Sequence, residues 1–162
     1  MPGIATIGVY GFDLASFLEA LDEAEVGTVV DVRQRRGVRG PQYAWANAQR
    51  LQAALGETGF GYRHMKELAP TTELRRLQYR EDARLGEGKR SRTKLAPEYA
   101  RRYTEEILDH ADLEPIAELA AEARPALLCV ERDPGACHRS LIAQRLQSDW
   151  NFEVGHLRPA PD

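Results

Sequence analysis

The chain has 162 residues, 43% of them hydrophobic and 29% charged, with a formal net charge of −3. That length predicts one domain able to bury its own core, and the composition excludes a wholly disordered, collagen-like or coiled-coil protein. No stretch reaches the roughly 18 consecutive apolar residues of a membrane helix, and two cysteines make no disulfide framework.

The start, Met1-Pro-Gly-Ile-Ala-Thr, lacks the basic-then-apolar plan of a secretory signal. The expectation is a soluble cytoplasmic protein, one α/β domain over residues 1–162, with no membrane partner. Its oligomeric state is not legible.

In chain order, residues 4–9 form a short apolar run that predicts a buried strand. Asp13 can cap a helix whose Leu14, Phe17, Leu18 and Leu21 share one face. Residues 27–32, rich in β-branched side chains, predict a second strand. After an Arg-rich loop, the spacing of Ala48, Leu51 and Leu55 predicts a helix over 47–57. Residues 60–64 alternate as a third strand.

The pattern weakens over 65–96, read as an irregular insertion with a mobile basic loop, although Thr71-Thr72-Glu73 can open a helix carrying Leu74 and Leu77. Pro97 can start a helix bearing Tyr99, Tyr103 and Ile107, and a further helix holds Ile116, Leu119 and Ala120. Residues 126–131 form a fourth strand, a turn follows over 132–137, a helix runs from about His138 to Asp149, and 152–156 closes as a fifth strand.

Strands alternating with helices predict a three-layer, Rossmann-like or flavodoxin-like α/β fold with a five-stranded, mostly parallel sheet. The expected order is 3-2-1-4-5, with ligands bound beyond the carboxyl ends of the strands.

The net charge hides an asymmetry. Of 22 basic residues, 19 are Arg. Segments 33–39 and 84–94 each carry +4, leaving −11 on the rest of the chain. Two basic loops on an acidic body point to a local anion site.

The densest chemical group is Cys129-Val-Glu131-Arg-Asp-Pro-Gly-Ala-Cys137-His138-Arg139. If a helix starts near Cys137, its free N–H groups favour an anion. A thiol there, beside Arg139 and a protonated His138, would have a lowered pKa and serve as a nucleophile. Glu131 can act as acid or base. The plainer reading has two buried cysteines and an Arg139 that holds the turn through a carboxylate.

Cys129, Cys137 and His138 with a carboxylate could also supply four metal ligands. The spacing is not CxxC, however, and adjacent residues on a helix start point about 100° apart. The sequence therefore assigns no metal and no cofactor.

Asp31 and Arg33, two apart at the end of a strand, face one side. They form either an ion pair or, with Glu131, a catalytic carboxylate pair. His64, His110 and His156 read as ordinary hydrogen-bonding groups. Tyr43, Trp45, Tyr62, Tyr99 and Tyr103 can pack the core or line a cleft and stack a base.

Thr6-Ile-Gly8, Phe17-Leu18, Val30-Asp-Val-Arg33, Ala126-Leu-Leu-Cys-Val-Glu131 and Cys137-His-Arg139 followed by Leu141-Ile-Ala143 resemble the family called domain of unknown function 488. The resemblance spans about residues 4–157. It implies a bacterial or archaeal cytosolic protein without a settled reaction, an α/β fold, and a site near Asp31, Arg33, Glu131, Cys137, His138 and Arg139. The chain departs from the family pattern where Val9-Tyr10 replaces His-Ser and where Leu68-Ala69-Pro70 replaces Leu-Gly-Gly.

Together these readings predict catalytic Glu131, Cys137 and Asp31, and phosphate ligands Arg33, His138, Arg139, Arg39 and Arg92. The expected function is an anion (phosphate) site that processes or hydrolyses a nucleotide or nucleic-acid substrate, any enzymatic activity being of hydrolase type on a phosphate-bearing substrate. The alternatives are a non-catalytic nucleic-acid-binding module and a zinc or thiol redox protein.

Overall fold

The computed structural model describes residues 3–161. Five parallel strands form one sheet: β1 (Gly3–Ile7), β2 (Val26–Asp31), β3 (Gly61–His64), β4 (Arg124–Leu128) and β5 (Glu153–Leu157). Helices α1 (Leu14–Glu23) and α2 (Ala48–Glu57) follow the first two strands. The segment between β3 and β4 holds α3 (Thr72–Arg84), α4 (Pro97–Glu106) and α5 (Glu114–Glu122), and α6 (Arg139–Trp150) precedes β5. The fold class is α/β, as expected. Asp13 caps α1 in a reciprocal box with Ser16. Within the stretch read as irregular, α3 runs for 13 residues from a Thr71 cap.

The strand order is 3-2-4-1-5 rather than the expected 3-2-1-4-5. β4, not β1, is the middle strand. Both are almost wholly buried, whereas the edge strands β3 and β5 are partly open to solvent along their length. An unbroken apolar run marks an interior strand but does not say which neighbours flank it.

Side chains of α1 and α2 (Phe17, Leu21, Leu51, Leu55) cover the sheet face of Ala5, Ile7, Val29, Ala126 and Leu128. Leu74, Tyr99, Tyr103, Ile116, Ile142 and Leu146, from α3 to α6, cover the face of Ile4, Val30 and Leu127. The chain thus leaves β1 and β2 on one face and β3 and β4 on the other, the arrangement that opens a crevice at the carboxyl ends.

The segment after β4 is stitched to both neighbours. Val32 N–H donates to Leu128 O, Cys129 N–H to Ile7 O, and the N–H groups of Val9 and Tyr10 both to Val130 O. Gly8 belongs to this seam. A Cβ placed on it would collide with the Glu131 carbonyl, and that carbonyl also accepts a hydrogen bond from Arg139 at 2.8 Å. Gly8→Ala is therefore expected to lower stability by about 1–3 kcal/mol, the usual cost of overpacking. An unchanged denaturation midpoint would show that the seam can retreat at no cost.

Candidate functional site

β4 ends at Leu128, so Cys129, Val130 and Glu131 rise beyond the sheet edge between the ends of β1 and β2. Strand alternation carries past the last ladder bond. Cys129 shares the face of Leu127, and its Sγ donates to Glu131 Oε2 at 3.3 Å. Pro134–Ala136 forms a single 3-10 turn, braced by Asp133 accepting from Gly135 N–H. This turn brings Cys137 back over Cys129. Cys137 is extended (φ −137°, ψ 147°), and α6 begins only at Arg139, with His138 as its N-cap. The thiol therefore does not stand in the first turn of a helix, which removes the premise of the expected helix-terminus anion cradle.

His138 is oriented by one bond: its Nε2 lies 2.8 Å from Val32 O. A carbonyl can only accept, so Nε2 carries the proton. Nδ1 then faces both sulfurs, 3.8 Å from Cys129 and 3.7 Å from Cys137. All three residues are buried. Burial alone would raise the Cys137 thiol, but the adjacent Cys129 side chain and the charges of His138 and Arg139 hold it well below its ordinary value. Burial and the neighbouring Cys137 sulfur push Cys129 well up. Burial would lower His138, but the Cys137 thiolate raises it. Burial and the same sulfur raise Glu131, against the opposing pull of Arg92.

The arginines expected to bind phosphate are mostly engaged inside the protein. Arg33 makes two bonds of 2.8 Å to Asp31 through Nε and Nη2, and a third to Ala46 O. Asp31 also accepts from Tyr62 at 2.6 Å, so it belongs to a structural network on the α2 face of the sheet. Glu131 lies on the other face, and the two carboxylates do not converge. Arg139 is fully buried and donates to the carbonyls of Glu131 and Arg132. It bolts the turn down and does not line the cleft with Arg33.

Arg92 is a hub. Its guanidinium binds Asp82 at 2.8 Å, Glu131 at 2.7 Å and Ala136 O at 3.1 Å. It ties the basic loop to α3, to the β4 end and to the turn before Cys137. Of the expected phosphate ligands, Arg39 remains exposed and without an ion-pair partner among the described residues.

The sequence reading missed Gln78 and Asp82, which continue the buried stripe of Leu74 at four-residue steps. Gln78 donates to Asp82 and accepts from Ala96 N–H. Polar residues where an apolar stripe should continue were the available signal. Tyr103 donates to Leu68 O and packs on His138. Trp45 packs on Phe17. Tyr43 accepts from Gly11 N–H and lies under Arg90. His64 bonds Arg33 O, and His156 bonds Thr6.

Above the sulfur–imidazole–carboxylate floor opens a cleft of about 700 Å³. Seven cationic residues line it against one acid, Glu131. Arg33 and Arg92 are ion-paired. Arg35, Arg39, Arg75, Lys89 and Arg90 have no ion-pair partner among the described residues. Arg90 lies over the rings of Tyr10 and Tyr43, 5.0 and 5.4 Å from their centres, and donates to Arg39 O. Arg75 bonds Gln34 and Tyr79. Tyr10, Tyr79 and Tyr99 contribute aromatic wall. Among the described residues, no helix is long and apolar enough to cross a membrane.

A family model, Domain of unknown function DUF488, matches residues 13–146. No curated protein and no solved structure matches the chain.

Proposed function

The chain belongs to the family described as Domain of unknown function DUF488, and from the cleft its fold creates we propose that it binds and processes a phosphate-bearing substrate, a nucleotide or a nucleic-acid end, by hydrolysis. The observation that carries this reading is the charge of the cleft. Five cations without carboxylate partners converge on one concavity, in a protein whose net charge is −3. Like charges gathered against the overall balance repel one another unless an anion joins them, and low-dielectric walls focus their field. The tyrosines of the wall offer faces on which a base can stack.

The phosphate site moves outward from the residues expected on sequence grounds. Arg39 stays, and Arg35, Arg75, Lys89 and Arg90 join it, while Arg33, Arg92 and Arg139 hold the frame. At the floor, Glu131 and Cys137 are the groups able to move a proton or attack. Asp31 is committed to Arg33 and Tyr62.

Binding of nucleoside mono- and diphosphates should exceed that of the matching nucleosides. Arg39→Ala, Arg75→Ala and Lys89→Ala should each weaken it by about tenfold or more, the scale of a charge-assisted hydrogen bond. Calorimetric titration reads both effects. Equal binding of nucleotide and nucleoside, or no effect of the three substitutions, would refute the reading. A steep loss of oligonucleotide affinity with salt, without turnover, would identify the protein as a nucleic-acid-binding module instead.

A further inference from the structure

We infer that Cys129, Cys137 and His138 form a binding site for a thiophilic divalent cation of the zinc class, held by three protein ligands with its fourth position open to the cleft. The sequence argued against such a site on the ground that neighbouring residues diverge on a helix. The structure removes that objection. The pair does not sit on a helix, since Cys137 is extended and His138 is only the N-cap of α6, and His138 Nδ1 lies 3.7 Å from Cys137 Sγ and 3.8 Å from Cys129 Sγ.

The donor atoms Cys129 Sγ, Cys137 Sγ and His138 Nδ1 lie within 4.8 Å of one another. With zinc–sulfur and zinc–nitrogen bonds near 2.3 and 2.0–2.1 Å, a tetrahedral site has sulfur–nitrogen edges of about 3.5 Å. The two edges here are 3.7 and 3.8 Å, so ring and sulfurs already stand close to the required spacing.

The imidazole is also prepared in the manner of a metal ligand. Nε2–H is held by Val32 O, which leaves the Nδ1 lone pair facing the sulfurs and fixes the ring plane. Val32 belongs to the segment after β2, the cysteines to the β4 end and its returning turn. The site is thus built on rigid, separately anchored backbone. Two thiols and an imidazole select a soft or borderline cation over magnesium or calcium.

All three residues line the cleft. A three-ligand set with an open position is the pattern of catalytic rather than structural zinc. Glu131, beside Cys129 and steered by Arg92, would stand next to the open position as an outer-sphere carboxylate. Cys137 would then be a ligand, not a nucleophile. The site's use in hydrolysis rests on the proposed anionic cleft. Metal binding does not, and it is tested with the metal alone.

Full-length reduced protein is loaded with zinc or cobalt(II), passed over a desalting column and analysed for metal. One equivalent should remain. The cobalt form should show thiolate charge-transfer absorption and intense tetrahedral ligand-field bands. Both thiols should be shielded from a disulfide reagent until a strong chelator is added.

Cys137→Ser and His138→Gln should each lower zinc affinity by at least about 100-fold, more than the roughly 10–100-fold typical of an outer-sphere change. Glu131→Gln should keep the metal. If Cys129→Ser does not fold, the wild-type stoichiometry, thiol shielding and cobalt spectrum still decide. Thiols equally reactive with and without zinc, no retained metal, or undiminished binding by Cys137→Ser would each overturn the proposal. Wild-type protein that holds zinc but binds nucleotide no better than nucleoside would overturn the substrate reading and leave the metal site standing.

Discussion

Arg92→Met is expected to destabilise the protein by about 3–5 kcal/mol, the cost of stranding a buried charge by removing its partner. Arg92 is 9% exposed, and its guanidinium serves the carboxylates of Asp82 and Glu131, residues that are 4% and 5% exposed. Its removal leaves both unpaired and frees the Ala136 carbonyl that positions the turn before Cys137. Total stabilities of domains are about 5–15 kcal/mol, so the variant should lie near its folding limit. Denaturant titration of the wild type and variant measures the effect. The triple variant Arg92→Met, Asp82→Asn, Glu131→Gln should recover part of the loss, because no net charge is then left unpaired. A single variant as stable as the wild type would show that water reaches both carboxylates.

Asp31→Leu should cost about 3–5 kcal/mol for the same reason, since it strands Arg33, which is 2% exposed and bound through two nitrogens. The double variant Asp31→Leu, Arg33→Met should be markedly more stable than Asp31→Leu alone. The network carries a pH signature through Tyr62. Burial, then the hydrogen bond to Asp31, raises this phenol to about 12, with Arg36 opposing. In the unfolded chain it titrates near 10. A group whose folded pKa is raised contributes stability that is fully present below the unfolded value and is lost as pH rises through the folded one. The wild type should therefore lose stability between about pH 10 and 12 more steeply than Tyr62→Phe. Because Tyr62 is partly solvated, the difference should be well short of the full linkage value. Parallel pH profiles for the two proteins would show that the phenol is not coupled to folding.

These variants bear on what could be read without the structure. The helices were legible where the signal was local. Asp13 announces a helix cap, and Phe17 and Leu21 repeat at helical spacing. The Asp31–Arg33 pair was legible too, because residues two apart at a strand end share a face. The partners of Arg92 were not. Asp82 is 10 positions away and Glu131 is 39. Charge alone makes Arg92 look like a phosphate ligand, just as it does Arg39. Only the route of the loop across the turn separates the buried hub from the exposed cation.

By itself, the sequence determined five strands, an α/β class and the grouping of Cys129, Glu131, Cys137, His138 and Arg139. Periodicity, caps and short spacings are properties of neighbouring residues and need no fold to be expressed. The order of the sheet was decided only in three dimensions. The runs at 4–9 and 126–131 are both largely apolar, and either could fill the centre. The tertiary structure placed β4 there and so set Cys129 and Glu131 between the ends of β1 and β2. It also chose an extended backbone at Cys137, which turned a supposed helix-start thiol into one corner of a sulfur–sulfur–imidazole triangle. Both outcomes depend on contacts between distant segments, whose energies a local pattern does not contain.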